Sequence, residues 1–269
     1  MKLVSTAILT PLAAIVACVA FAAPPYNTDD PEPAEYKHFE VYFGAQFSGI
    51  RSGYTASAPL YEINYGGAPN LQLSITTQMS LARPFGGSVQ YGVGDTNLGA
   101  KFRFVQETKW VPQVSVFPAL NVPCGDSARG LGEGKTGYFL PVWAQKSRGP
   151  WILCGGGGFW SNPGVDLRNY WFTGVLLTRQ MSKKLTIGAE LFNTTQSVAG
   201  EGSHFTANFG AWYDLDEGHH LLGSVGSDIH GSGRGIAYFA YGWTWGPKEE
   251  HEKAEPKAAE PKAAEPANK

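Results

Sequence analysis

The chain has 269 residues, a net charge of -2 and 16% charged residues, against about 25% in an average soluble protein. This balance argues against nucleic acid as a partner. Aromatic residues at 13%, with 34 glycines and 18 prolines, favour short strands and turns over helices.

The first residues, MKLVSTAILTPLAAIVACVAFAA, have one early lysine and then an apolar run. Ala20-Phe21-Ala22 fits a small-x-small cleavage site, so we expect a signal peptide over residues 1–22. One alternative is a lipobox at Ile15-Val16-Ala17-Cys18, which would leave a lipidated cysteine at the N-terminus. The other is an uncleaved transmembrane anchor, which Pro11 disfavours. No later stretch reaches the ~20 apolar residues of a spanning helix.

Residues 23–35 are expected to form an N-terminal periplasmic segment. Within it, Thr28-Asp29-Asp30 precedes Pro31. These residue types bind calcium elsewhere, but no ligand spacing supports a site here. A capped turn or an extended plug segment is the better interpretation.

Residues 36–247 show period-two segments separated by turn residues. In residues 71–80, leucine, isoleucine and methionine alternate with glutamine and serine, and 184–191 and 204–213 alternate similarly. Such alternation is typical of strands with one apolar and one polar face. We predict strands near 36–47, 58–65, 70–80, 94–106, 110–122, 137–146, 150–160, 169–180, 184–194, 204–213, 219–228 and 235–245.

The predicted connections alternate in length, as they do in outer-membrane barrels. The long loops cover 48–57, 81–93, 123–136, 161–168, 195–203 and 229–234. We therefore predict an all-β fold, a transmembrane antiparallel up-and-down β-barrel of about 12 strands of the outer-membrane type, with both termini periplasmic. The alternative is a soluble β-sandwich, which would bury its apolar faces and carry more surface charge.

Residues 129–136, RGLGEGKT, almost spell a phosphate-binding P-loop. That pattern needs glycine where Arg129 stands, and a helix where a strand follows. We instead predict that loop 123–136 folds inward and narrows the pore. Its constriction residues would be Asp126, Arg129, Glu133 and Lys135.

Four other groupings suggest chemistry. Gly155 to Gly158 lacks the lysine of a phosphate site and is expected to let a strand bend. Adjacent His219 and His220 face opposite sides of a strand and do not share a metal. Ser203-His204 with Asp228 supplies hydrolase residue types without a nucleophile elbow. We therefore expect no enzyme, no metal and no cofactor. Whether Cys124 and Cys154 pair as a disulfide is left open.

The polar strand faces are the expected site of function, because in a barrel they line the lumen. Both charge signs are present there, so opposed charges would brace the wall and orient polar solutes. By alternation, the candidate lumen residues are Glu40, Gln46, Glu62, Asn64, Lys101, Arg103, Gln113, Arg179, Glu190, His204, Asn208 and Asp228.

The end of the chain changes character abruptly. In residues 238–247, YFAYGWTWGP, one strand face carries Phe239, Tyr241, Trp243 and Trp245, which we expect to face lipid. Residues 248–269 repeat EPKAA without aromatic residues. We expect a disordered periplasmic tail there.

Two segments resemble a known bacterial family. Residues 26–47, YNTDDPEPAEYKHFEVYFGAQF, and residues 91–104, YGVGDTNLGAKFRF, resemble the MetA-pathway of phenol degradation family, although Phe102 stands where that family usually has tyrosine. The likeness covers most of residues 26–246 and excludes the tail. It implies an outer-membrane transporter-like β-barrel whose solutes are hydrophobic or aromatic compounds.

Together these features predict an outer-membrane channel for passive transport of small molecules. The alternative is a structural or interaction barrel with a plugged lumen that tethers a partner through its tail. The expected partners are a small-molecule solute, the lipid bilayer and the barrel-assembly machinery during biogenesis. The oligomeric state is left open.

Overall fold

The computed structural model describes residues 24–50 and 53–247. The expected signal peptide, the lipobox at Cys18 and the tail over 248–269 lie outside the described residues. Within the described ranges, no helix is long and apolar enough to cross a membrane.

The described chain is built almost entirely from strands, with one short 3-10 helix at Ser127–Arg129. The strands are β1 Phe39–Ile50, β2 Gly53–Ala68, β3 Leu71–Arg83, β4 Gln90–Val93, β5 Thr96–Val105, β6 Gln113–Val116, β7 Ala119–Val122, β8 Gly137–Arg148, β9 Trp151–Ser161, β10 Tyr170–Gln180, β11 Leu185–Thr194, β12 His204–Asp214, β13 His219–His230 and β14 Gly235–Trp245.

These strands close into an antiparallel up-and-down barrel. Strand β3 pairs with both β4 and β5, and β8 pairs with both β6 and β7. Each of those two pairs is therefore one interrupted strand, and the fourteen segments make a barrel of twelve strands. The first strand pairs with the last, from Phe39 opposite Trp245 to Gly49 opposite Gly235. The predicted fold class is confirmed.

Two details of the predicted strands are wrong. The strand expected over 94–106 begins earlier, at Gln90, and is interrupted at Gly94-Asp95, and the strand expected over 110–122 is interrupted at Phe117-Pro118. The long loop expected over 48–57 is instead a tight connection, because β1 extends to Ile50 and pairs there with Gly53 of β2. Alternation in residues 48–57 is weak, so the extension of both strands into this region could not be predicted.

The outer surface of the barrel is an apolar band. In β3, for example, Leu73 and Ile75 are exposed on the outside while Gln72 and Gln78 are buried inside. The last strand follows the same rule, with Phe239 and Trp243 exposed on the outer face and Ala240 completely buried inside. An apolar outer face is what a barrel needs in order to sit in lipid.

The interior departs from the polar lumen that alternation predicts. A cluster of aromatic side chains lies inside the barrel on β8, β9 and β10, and it includes Phe139, Trp143, Trp160, Tyr170 and Phe172. The rings of Phe139 and Phe172 stack with centroids 4.9 Å apart. One side of the interior is therefore an apolar wall.

Candidate functional site

The chain ahead of the first strand lies inside the barrel. We call residues 24–35 the N-terminal segment. Glu190 of β11 accepts hydrogen bonds from the Asn27 side chain, at 3.3 Å, and from the backbone N–H of Thr28. At its other end, the backbone N–H of Ala34 donates to Gln72 Oε1 of β3 at 2.8 Å. These bonds join the segment to opposite walls, so it crosses the lumen, as an extended plug segment would.

A buried ion pair holds the middle of this segment. Lys101 Nζ of β5 donates to Asp29 Oδ1 and to the backbone carbonyl oxygen of Asp30, both at 2.9 Å. The side chains of Lys101 and Asp29 are only 4% and 1% exposed. A buried ammonium group needs such partners, because an unpaired charge there would carry a large desolvation penalty.

Glycines in the wall make room for the segment. A side chain at Gly174 would collide with Thr28, and one at Gly188 would place its Cβ 2.6 Å from the Tyr26 hydroxyl. A Cβ on Gly210 would lie 3.0 Å from the Tyr26 ring. Glycine in a strand often marks such a close approach, and these three form a slot across β10, β11 and β12.

The segment divides the lumen into two main spaces. We call the barrel end where β1 begins and β14 ends the terminal end, and the opposite end the loop end. A cavity of about 530 Å³, the terminal-end chamber, reaches from the N-terminal segment to Asp214, Glu217 and Thr244. Its wall also carries the carboxyl groups of Glu40 and Glu62, so the chamber is acidic.

The space on the other side is smaller and aromatic. This loop-end cavity of about 70 Å³ is lined by Phe139, Trp160, Tyr170, Phe172 and Phe192. Arg234 and Thr206 supply polar groups to the same cavity. It therefore combines flat apolar rings with a few hydrogen-bonding groups, as small-molecule sites commonly do.

A third space, the middle cavity of about 40 Å³, lies between the N-terminal segment and the wall formed by β1, β2, β3 and β14. It shares Glu62 and Tyr26 with the terminal-end chamber. It shares Asn27, Gln46 and Ile236 with the loop-end cavity. The middle cavity therefore adjoins both of the other spaces past the segment.

Most of the predicted lumen residues lie on the inner face of the barrel. Alternation along each strand places there Glu40, Gln46, Glu62, Asn64, Lys101, Arg103, Gln113, Glu190, His204, Asn208 and Asp228.

Arg179 is the exception, and its assignment to the lumen is wrong. It lies on the outer face of β10 with Leu177 and Val175, and its guanidinium group lies 5.0 Å from the ring centroid of Trp151. The inner face of β10 carries Tyr170 and Phe172. Because these side chains are apolar, the alternation rule predicted that their face points outward.

Loop 123–136 folds against the barrel mouth through two carboxyl groups. Asp95 accepts hydrogen bonds from the backbone N–H of Gly125 at 2.9 Å and of Glu133 at 2.8 Å. The Asn121 amide bridges the carboxyl groups of Asp95 and Glu133, at 2.9 and 2.8 Å. Burial, followed by the nearby charge of Asp95, raises the pKa of Glu133 to about 7. The loop is thus anchored in part by a carboxyl group, that of Glu133, which titrates near neutrality.

The other predicted constriction residues lie differently. Arg129 donates to Gln90 Oε1 at 3.0 Å and to the backbone oxygen of Tyr91, which ties the loop to β4. Asp126 caps the 3-10 helix, and Lys135 is exposed. Among the described residues, none of these four lines the three lumen cavities. The lumen is narrowed instead by the N-terminal segment, for which an extended plug was one of two expectations.

The structure brings His204 and Asp228 together, with Nδ1 and Oδ2 2.8 Å apart. The other ring nitrogen, which would serve a nucleophile in a catalytic triad, lies 3.6 Å from Glu201 Oε2. The close contact with the His204 ring holds the pKa of Glu201 below its usual range. The arrangement ties loop 195–203 to the barrel rim rather than presenting a nucleophile.

The cysteines and paired histidines are also placed apart. Cys124 and Cys154 are both free, and the Cys154 thiol donates to Gln145 Oε1 at 3.1 Å. His220 faces inward and pairs with Asp214 at 2.7 Å. His219 faces outward and stacks on Tyr241. The two histidines therefore lie on opposite faces, as expected.

Among known proteins, the chain is similar to solved structures. No family model and no curated protein matches it. It is similar to the COG4313 outer membrane channel from Pseudomonas putida F1, with a TM-score of 0.58 and 15% identity, covering 80% of this chain and 99% of that one. It is also similar to the KdgM porin in complex with disordered oligogalacturonate, with a TM-score of 0.53 and 12% identity, covering 77% and 99%.

At these identities the likeness establishes the fold, a porin-like barrel of the kind found in outer membranes. The channel from Pseudomonas putida F1 and the porin are matched over nearly their whole lengths. The resemblance to the MetA-pathway family, which no family model supports, stays a prediction.

Proposed function

We propose that this protein is an outer-membrane channel through which small molecules diffuse passively. The observation that carries the proposal is the row of three adjoining cavities, which runs past the N-terminal segment from the loop end to the terminal-end chamber. An apolar outer face surrounds this row, so the cavities would offer the polar route through a membrane. We infer no enzymatic role and no cofactor.

The solutes we propose are small hydrophobic or aromatic compounds. The loop-end cavity supports this, because Phe192 and Phe172 stack at 6.0 Å and present flat rings beside the hydroxyl of Thr206. Rings of a solute gain from offset stacking beyond the area they bury, typically by about 0.5–1.5 kcal/mol per pair. The polar groups of the cavity would then orient a substituent.

The proposal includes a topology and a route of biogenesis. Short turns lie at the terminal end with β1 and β14, and in outer-membrane barrels that end is periplasmic. Both termini would accordingly be periplasmic after export and signal-peptide removal, and the barrel-assembly machinery would insert the barrel. In this proposal the N-terminal segment forms the constriction of the channel, and loop 123–136 has no part in it.

The alternative is a plugged barrel with a structural or tethering role. The buried Lys101–Asp29 pair favours it, because a segment held this firmly would close the lumen. Single-channel recording of refolded protein separates the two proposals. Discrete conductance steps support the channel, and a membrane that stays silent with correctly folded protein supports the plugged barrel.

The aromatic preference is tested by solute flux into liposomes. We expect phenylalanine to enter faster than leucine, a zwitterion of similar size. Phe192→Leu should reduce that preference, whereas Phe209→Leu, on the outer face, should leave it unchanged. Equal flux of both amino acids through the unmodified protein would contradict the aromatic part of the proposal.

A further inference from the structure

We propose that Glu62 makes the passage past the N-terminal segment selective for small monovalent cations over anions. This inference rests on the proposed channel function and concerns the ions that pass while the N-terminal segment is docked, whereas a larger aromatic solute passes only when that segment moves aside. Glu62 lines both the terminal-end chamber and the middle cavity. It therefore stands where the widest space meets the smallest one.

The fixed positive charges of the lumen are already neutralised. Lys101 pairs with Asp29 and lies 3.8 Å from Asp30. Arg103 donates to Asn70 and Gln113 and lies 3.7 Å from Glu32. Arg234 lies 3.6 Å from Asp228 at the loop end. A permeating anion would find no unneutralised lysine or arginine in the described part of the lumen.

The carboxyl groups at the passage are in the opposite situation. Glu62 accepts a hydrogen bond from Asn64 at 2.9 Å, and Glu40 accepts one from Tyr42 at 3.4 Å. Over residues 24–50 and 53–247, neither has a lysine or arginine nitrogen within 4.0 Å. Uncompensated carboxylates in a confined space attract cations and repel anions.

A second and independent feature of the middle cavity points to a cation. Asn208, which is only 1% exposed, lines this cavity, and its side-chain oxygen has no hydrogen-bond partner. The Tyr238 hydroxyl, which lines the same cavity, also has none. Buried oxygen atoms without donors are costly, and oxygen atoms are the ligands that alkali and other hard cations accept in filters.

While the N-terminal segment is docked, the size of the middle cavity limits which ions pass there. Its volume of about 40 Å³ exceeds the ~10–15 Å³ that one water molecule requires. A small cation with one or two water molecules fits, and neighbouring oxygen atoms replace the rest of its hydration shell. A monovalent ion such as K⁺ or ammonium loses water more cheaply than a divalent one, so we assign the passage to monovalent cations.

The test is a reversal-potential measurement in a planar bilayer with a KCl gradient, in neutral to alkaline buffer. We expect the unmodified protein to favour K⁺ over Cl⁻. Glu62→Gln should lower the permeability ratio by about fivefold, the effect of one unit charge a few ångströms from the path. Glu62→Lys should move the reversal potential further toward anion preference.

The matched control is Asp166→Asn, which removes one exposed carboxylate in the loop between β9 and β10. Its backbone has a φ of 59°, which asparagine tolerates, and we expect an unchanged ratio. If Glu62→Gln conducts with the same ratio as Asp166→Asn, the inference is wrong and the channel stands. If the folded unmodified protein carries no current, the channel proposal falls and the cation passage falls with it. Refolding of each variant is checked by the gel shift of the unheated barrel.

Discussion

Lys101 and Asp29 form an ion pair at the centre of the barrel, with Nζ and Oδ1 2.9 Å apart. Lys101 belongs to the wall and Asp29 to the segment that crosses the lumen. Both side chains are almost fully buried, so each is the other's principal compensation. This contact helps to fix the position of the segment and neutralises the charge of Lys101 inside the lumen.

Removing one partner of this pair should loosen the segment. We expect Lys101→Met to lower the free energy of unfolding by about 3–5 kcal/mol, because it leaves the Asp29 carboxylate buried without its cation. The double variant Lys101→Met with Asp29→Asn should recover much of that loss. Urea unfolding in detergent micelles measures both, and a double variant as unstable as the single one would contradict the ion-pair argument.

The glycine slot gives a second way to move the segment. Gly188→Leu should push Tyr26 out of its place, because even a Cβ there would approach the Tyr26 hydroxyl to 2.6 Å. Overpacking of this kind costs about 1–3 kcal/mol, and single-channel conductance should rise as the segment leaves the wall. Gly202→Leu is the control, since nothing lies within 4 Å of a Cβ at that position. Equal conductance of the two variants would show that the slot does not set the width of the pore.

The anchor of loop 123–136 should depend on pH. The raised pKa of Glu133, about 7 instead of the ordinary 4.5, means that the anchored loop binds a proton in this window that the released loop does not. The stability of the anchor therefore falls as pH rises from 4.5 through about 7 and levels off above. The total effect is on the order of 3 kcal/mol. Hydrogen exchange of the loop amides across this range measures it.

Glu133→Gln should flatten that dependence and keep the loop protected at high pH, because the amide retains an oxygen for Asn121 without the charge. Asp126→Asn is the matched control in the same loop, where asparagine keeps the cap of the 3-10 helix. The explanation fails if amide protection in the Glu133→Gln variant still declines between acid and neutral pH.

The outer apolar band should not tolerate a charge. Leu191 lies on the outer face of β11, 48% exposed and opposite Val175 of β10. We expect Leu191→Arg to destabilise the inserted barrel by about 2–4 kcal/mol, the cost of arginine near the bilayer midplane. Val165→Arg, in a loop where the side chain is 80% exposed, should cost almost nothing. Folding titrations in lipid vesicles compare the two, and equal stability would exclude lipid contact at Leu191.

The strand positions could be predicted because alternation is a local property. Segments such as Leu71 to Ser80 carry one face of apolar and one face of polar residues, and that pattern is visible without any knowledge of partners. The inner position of Lys101 and Glu190 follows from the same rule. The breaks at Gly94-Asp95 and Phe117-Pro118 were not predicted. They become visible only in the sheet, because β3 runs past the first break and β8 runs past the second.

Arg179 shows where alternation misleads. The rule assumes a polar lumen, but aromatic side chains occupy the inner face of β8 to β10. On β10 the face that carries Phe172 therefore points into the barrel. Arg179 lies outside near the strand end, where its guanidinium group lies over the ring of Trp151.

The placement of the N-terminal segment could not be read from residues 24–35 alone. The segment has no periodicity, and its partners are 38 residues away at Gln72, 72 at Lys101 and 163 at Glu190. Each partner on its own is an ordinary inward polar residue of a barrel. Only the closed sheet brings them to one place, so the plug alternative stayed open at the level of sequence.

These distances along the chain set an order of events during assembly. The N-terminal segment is synthesised before any strand, yet the Ser224 hydroxyl that holds Pro25 belongs to the thirteenth of the fourteen strand segments. Its complete docking therefore requires nearly all of the wall, although its own residues are available from the start. We accordingly expect the narrow passage to be the last part of the molecule to take shape.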